Sequence, residues 1–171
     1  METWDAVRAR RNIRTYRPEP LETAHLERIL EAGRRAPSSR NEQRWDFVAV
    51  TDRERLAALS RVWRGAAHIA NAAAAIALVV SDEPDRHMWG SIQYDLGQTA
   101  MLMMVTAADL GIGAGHAHVE DKELIREILD LPAGRTCTHM IGLGVPGDRP
   151  LRPIENPARR PFNEVVHRER W

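Results

Sequence analysis

Arg8-Ala9-Arg10-Arg11-Asn12-Ile13-Arg14-Thr15-Tyr16-Arg17-Pro18-Glu19-Pro20 places five arginines in thirteen residues, within a chain whose formal net charge is zero. Run extended from Ala9 to Arg17, the stretch alternates its side chains, so Arg10, Asn12 and Arg14 share one face. Two guanidinium forks flanking an amide make a cradle for a phosphate, a polyol or the polar edge of a heterocycle. Arginine suits the phosphate because its planar donors reach two oxygens at once. The competing reading is a solvated basic face between two helices, and the rest of the chain has to decide between them.

Outward from this stretch, 171 residues are enough for one domain with a substantial core. A 43% hydrophobic and 28% charged composition is that of an ordinary water-soluble protein. Zero net charge speaks against a nucleic-acid binder, which normally carries a basic excess. Lys122 is the sole lysine, so Schiff-base chemistry has a single candidate, in an ordinary charged helix. One cysteine, Cys137, permits no internal disulfide. With no leader-like segment and no apolar run long enough for a bilayer, no membrane association is expected and the cytoplasm is the expected compartment.

A short helix is predicted from Glu2 to about Arg8, before the basic stretch, which Pro18 and Pro20 stop. Leu26, Ile29, Leu30 and Gly33 mark a helix from about Glu22 to Arg35. Pro37 ends it and opens the small polar loop Ala36-Pro37-Ser38-Ser39-Arg40-Asn41-Glu42-Gln43-Arg44-Trp45, set against a strand from Phe47 to Val50. Asp52 is placed to cap a helix through Val62, and a second short helix is predicted between Trp63 and Asn71. Ala75 to Val80 is apolar without alternation, as in the middle of a sheet covered on both faces. The longest helix is predicted from Trp89 to Leu110; its wide apolar stripe must be buried in the core or against a second subunit.

Gly111-Ile112-Gly113-Ala114-Gly115 imitates a dinucleotide fingerprint but follows a helix and leads into a strand, the reverse of the required order. It reads instead as a helix C-cap followed by backbone that something approaches closely. His116 and His118 share a strand face and form a candidate metal pair. Apart from Glu120 and Asp121, no further ligand stands at suitable spacing, so no metal is expected. Asp121 is placed to cap a helix through Asp130, and Thr136 to Leu143 is a further strand. No nucleophile elbow surrounds Ser38-Ser39, which speaks against a hydrolase. The polar tail from Arg149 to Trp171 cannot fold alone and is expected to lie on another surface.

Four features in order resemble the FMN-dependent nitroreductase family across almost the whole chain. They are the N-terminal R-R-N-I-R, the A-P-S-S-R-N-E-Q-R-W loop, the G-I-G-A-G turn after a long apolar helix, and the closing R-R-P-F-N-E-V-V-H. The resemblance implies an α+β fold with a mixed central sheet flanked by helices. It also implies an intertwined homodimer with FMN at the subunit interface, built from one domain over 1–171 whose 149–171 arm reaches the partner.

Carried over by position, Arg10, Asn12 and Arg14, with Arg11 beside them, match residues that hold the FMN phosphate, ribityl chain and ring edge. Arg159 and Arg160 match a C-terminal basic pair near the phosphate. Pro37, Ser38, Ser39 and Asn41 match a loop that reaches the flavin from the other subunit. Ala114, Gly115 and His116 match the strand that runs past the ring. Three departures stand out: Asn12 replaces a hydroxyl residue, Arg44 stands where proline is frequent, and Gly115-His116 replaces a bulkier pair.

The implied activity is transfer of two electrons from NADH or NADPH, through the flavin, to a small acceptor such as a nitroaromatic or quinone. No side chain is named as catalytic, since the cofactor does the chemistry. Specialised flavin chemistry (dehalogenation, flavin destruction, ring dehydrogenation) and flavin binding without turnover are the alternatives on the same scaffold.

Overall fold

The computed structural model describes residues 1–82 and 85–171. Four strands form one sheet in the order β1-β2-β4-β3: β1 Trp45–Val50, β2 Ala74–Ser81, β3 Gly113–His118 and β4 Arg135–Gly144. All three pairings are antiparallel. The parallel component expected of a mixed sheet is confined, among the described residues, to a single bridge between Asn12 and Ala114. β2 is interior to the sheet and buried over nearly its whole length, which is why its sequence shows no alternation.

Helices cover both faces. On one side pack α2 Thr23–Arg34 and α4 Arg86–Asp109, whose Ile29, Leu96, Met103 and Met104 meet Ile76, Leu78 and Ile141 of the sheet. Met103 enters α2 at Gly33, where a Cβ would stand 2.0 Å from its methyl group. On the other side, α3 Arg53–Leu59, α5 Lys122–Leu129 and a 3-10 segment over Arg64–Asn71 cover Ala75, Ala77, Val79 and Met140. Each large aliphatic side chain withdrawn from water here contributes about 1.5–3 kcal/mol. Asp52 and Asp121 cap α3 and α5 by accepting from Arg55 N and Leu124 N at 2.9 Å, as their positions predict. Asp85 does the same for α4, which starts three residues before the predicted Trp89.

A bulge redirects β4. Leu78 pairs with His139 but Val79 pairs with Cys137, so Thr138 is the extra residue. The alternation reverses there: Cys137 points into the α3/α5 core, while His139 faces the α4 side with Ile141. Burial pushes the Cys137 thiol up to about 12, leaving it inert.

The chain ends lie together. α1, Thr3–Ala9, is followed by the basic stretch, and the tail returns to it: Ile154 N donates to Arg8 O at 3.2 Å and Arg8 pairs with Glu155. The last helix, α6 Phe162–Val165, is one turn and was not legible in the sequence. Among the described residues, no helix is long and apolar enough to cross a membrane.

Candidate functional site

The basic stretch leaves α1 at Arg10 in an extended conformation and runs along the edge of β3. Ile13 N donates to Ala114 O at 2.9 Å, and Arg17 N donates to Val145 O at 2.9 Å. Two isolated bridges, Asn12 with Ala114 and Tyr16 with Pro146, replace the continuous strand that alternation predicts. The close backbone approach predicted for Gly115 is present: a Cβ there would lie 2.4 Å from Ile13 O. Gly142 and Gly144 of β4 make room for Tyr16, whose hydroxyl is 2.8 Å from Ile13 O and 3.0 Å from Gly142 O. Burial raises the Tyr16 pKa, so the phenol stays protonated as a donor. His68 completes the crossing, donating from Nε2 to Gly115 O at 3.1 Å.

This crossing sets Arg10 and His116 at a cavity of about 330 Å³ between the sheet and α4. Leu78, Ile141, Leu96, Ala100, Met101 and Met104 make it apolar, and Arg10, Gln93, His116 and His139 supply its polar groups. The His116 Nδ1–H donates to Asn12 Oδ1 at 3.0 Å, which leaves Nε2 as an acceptor in the neutral ring. Burial lowers the His116 pKa, and the charges of Arg14 and Arg10 lower it further. Burial and a neighbouring His118 and His116 likewise hold His139 down.

Arg10 is itself under pressure. Burial lowers its pKa, and the positive charge of Arg159, from the opposite end of the chain, adds to the effect. Its Nε and the Gln93 Nε2 are buried without a hydrogen-bond partner among the described residues. A cation at an apolar cavity, repelled by a second cation and accompanied by orphaned donors, is suited to an anion that carries a large flat or flexible body.

The other predicted site residues are placed as follows. Arg11 turns away and donates to the carbonyls of Pro150 and, at 3.4 Å, Arg152, so it holds the tail. Arg14 lines a different hollow from Arg10, although its charge still acts on His116. Ala114 and Gly115 have their carbonyls engaged by Ile13 N and His68, so of this trio it is His116 that offers a side chain to the cavity. Arg160 is tied to Glu164, donating to its carbonyl at 2.9 Å, and Arg159 is the one that acts on Arg10.

The loop with Pro37, Ser38, Ser39 and Asn41 is not at this cavity in the same chain. Ser39 N donates to the buried Asp95 Oδ2 at 3.0 Å, Ser38 Oγ accepts from Gln43 N, and Pro37 lies against Tyr94, Met101 and Leu102 on the outer face of α4. Arg40, Asn41 and Gln43 all take left-handed backbone conformations, a concentration typical of functional loops. His118 stacks edge-on with Trp63 and His139 rather than pairing with His116. Among the described residues no group of three or more His, Cys, Asp or Glu is arranged to hold a metal.

Sequence reasoning missed Gln93, His139, Tyr16 and His68. Gln93 is the polar interruption of an apolar helix and offered a signal. His139 reaches the cavity through the bulge, which nothing in the sequence marks.

The family model described as the nitroreductase family matches residues 7–75. A protein of Archaeoglobus fulgidus, provisionally named NADH dehydrogenase/NAD(P)H nitroreductase, is 29% identical over 96% of this chain and 96% of its own. The Bacillus subtilis FMN reductase [NAD(P)H] is 28% identical over 94% of this chain and 71% of its own. Among solved structures, an FMN-dependent nitroreductase of Clostridium difficile superposes with a TM-score of 0.84 at 25% identity, over 97% of this chain and 98% of that one.

Proposed function

We propose that this chain, which matches the nitroreductase family model over residues 7–75, is a member of that family and an FMN-dependent oxidoreductase. It uses NADH or NADPH to reduce a small acceptor such as a nitroaromatic or quinone. The observation that carries this reading is Arg10 at an apolar cavity, with a buried donor lacking any partner among the described residues and with the charge of Arg159 repelling it. An FMN phosphate offsets that repulsion, and the cavity volume of about 330 Å³ lies within the range of small-molecule sites.

Arg10, Asn12, His116 and Arg159 would hold the cofactor, with Arg160 near the same end. Bound FMN supplies two-electron hydride chemistry. The residues bind, orient and exclude water: Asn12 fixes the His116 ring, partial burial with the charges of Arg14 and Arg10 favours its neutral form, and Met101 and Met104 keep that side apolar.

A homodimer completes the site in this reading. Tyr94, Met101 and Leu102 of α4 and Trp4 and Val7 of α1 are large apolar side chains left exposed, and a second copy would cover them. The loop over residues 37–41 of a second copy then approaches Arg10 from the other side of the interface. Residues 149–171 form an arm: through Glu155 it lies on its own α1, and beyond it Phe162, Val165, Val166 and Trp171 are exposed for the partner.

The test is a visible spectrum of the purified protein followed by anaerobic addition of each nicotinamide. Flavin absorption that bleaches with NADH or NADPH, and returns on adding a quinone, is the expected result. A protein that neither carries nor takes up FMN refutes the reading.

A further inference from the structure

A second hollow, of about 430 Å³, shares no lining residue with the cavity around Arg10. Its walls are residues 14–18 of the basic stretch, residues 71–73 just before β2, and Arg53 of α3. Three arginines, Arg14, Arg17 and Arg53, line it with Thr15 and Asn71, and among the described residues no Asp or Glu lines it. Glu19 opens onto a neighbouring hollow that shares Arg53, and forms no ion pair with it.

The three arginines are not equivalent. Arg53 is fixed: its Nη1 and Nη2 donate to Ala72 O and Ala70 O, each at 2.6 Å. Those two carbonyls hold the fork in place and leave its full charge uncompensated by any acid. Arg14 and Arg17 are exposed and, among the described residues, make no ion pair or side-chain hydrogen bond. One rigid fork and two free ones around a concave surface can close on an anion with several oxygens, the arrangement in which arginine surpasses lysine.

We propose that this hollow is a phosphate-binding subsite for a small molecule carrying a phosphate ester or diphosphate. The chemistry that selects it is charge and oxygen count. A single carboxylate engages one fork, whereas a phosphate or diphosphate engages two or three. At about 430 Å³ the hollow also has room for the group that bears the phosphate. The nicotinamide donor carries such groups, and free phosphate anions are the other source.

Titration calorimetry with inorganic pyrophosphate, on protein held at saturating FMN, tests the subsite. Binding at one site is expected, weakened about tenfold in Arg17→Gln by loss of a charge-assisted contact. Arg61→Gln, which removes an exposed arginine outside the hollow, should leave it unchanged. Equal losses in both variants, no loss in Arg17→Gln, or displacement of FMN by pyrophosphate would each overturn the assignment.

Steady-state kinetics then identify the source. In Arg17→Gln, a rise in KM for NADPH alone assigns the hollow to the donor's phosphate ester, and a rise for both donors assigns it to the diphosphate. Unchanged KM values with weakened pyrophosphate binding assign it to a free phosphate anion. The kinetic step rests on the oxidoreductase reading, whereas the calorimetry does not: a protein inactive with nicotinamides, or one that takes up no FMN and is titrated without it, still tests the subsite.

Discussion

The side chains of Asn12 and His116 meet at 3.0 Å across the edge of β3, joining the basic stretch to the one outward histidine of the cavity. The amide oxygen can only accept, so the ring must carry its proton on Nδ1. Arg14 and Arg10 both disfavour a second proton. In NMR titrations His116 should therefore protonate below the ordinary value of about 6.5, and Arg14→Gln should move it upward. An identical titration in wild type and Arg14→Gln would show that the Arg14 charge does not reach the ring.

FMN affinity should depend on both ends of the chain. Charge-assisted hydrogen bonds contribute roughly 1.5–3 kcal/mol each, so Arg10→Gln and Arg159→Gln should each weaken binding by about one to two decades. Arg160, engaged by Glu164, should matter less. Fluorescence titration of apo-protein measures this. Equal, small effects in all three variants would remove the phosphate from the Arg10–Arg159 end.

Stability should fall on mild acidification. His68, His116 and His139 all have depressed pKa values, each with burial as the first cause. Below the unfolded value of about 6.5 the unfolded chain takes up protons that the native histidines refuse. Their stabilising contribution is therefore complete above that pH and is lost as pH falls towards the native values. Glu31, held down to about 2 by Arg34 and Arg35, acts only in a lower window, below its ordinary range. Urea midpoints across the histidine range should decline with acid, and His139→Asn should flatten the decline. A flat wild-type profile would contradict the burial of these rings.

Gly115→Ala should destabilise strongly. Its new methyl would stand 2.4 Å from Ile13 O, a backbone atom held by the Asn12–Ala114 bridge and unable to swing aside. Overpacking of this kind costs about 1–3 kcal/mol. Urea denaturation reads the loss directly, and His116 mobility should increase as the crossing loosens. Wild-type stability in the variant would mean that the basic stretch is not seated on β3.

The outer face of α4 should govern assembly. Met101 is 46% exposed beside Tyr94 and Leu102, so Met101→Glu should turn a sedimenting dimer into monomer while secondary structure persists. If the dimer is also what completes each site, Arg10→Gln and Asn41→Ala chains mixed together should regain flavin binding in half of the sites of their heterodimer. A wild-type monomer at micromolar concentration would exclude both outcomes.

Much of this organisation was legible in the residues. Periodicity located α2 and α4, unbroken apolarity located β2, and aspartates marked the starts of α3 and α5. The glycines at 113 and 115 announced a close approach, which Ile13 and Tyr16 make. Alternation misled where regular pairing was incomplete: Arg10 and Arg14 belong to one face of an ideal strand, yet two isolated bridges let them diverge into separate hollows. His139 was hidden because a one-residue bulge changes which face it occupies, and bulges leave no compositional mark. Which arginine of the closing pair acts on Arg10 was equally illegible, since it depends on how Glu164 captures Arg160.

The seat of the basic stretch also fixes when the protein can acquire its cavity. Asn12 leaves the ribosome long before the atoms it and its neighbours dock on, which belong to Ala114, Val145 and Pro146. A nascent chain halted before β4 has the arginines and only the β3 part of their seat. Until β4 and the residues just after it are made, the growing chain carries a basic stretch without its full seat, and their completion turns that stretch into a wall of the binding site.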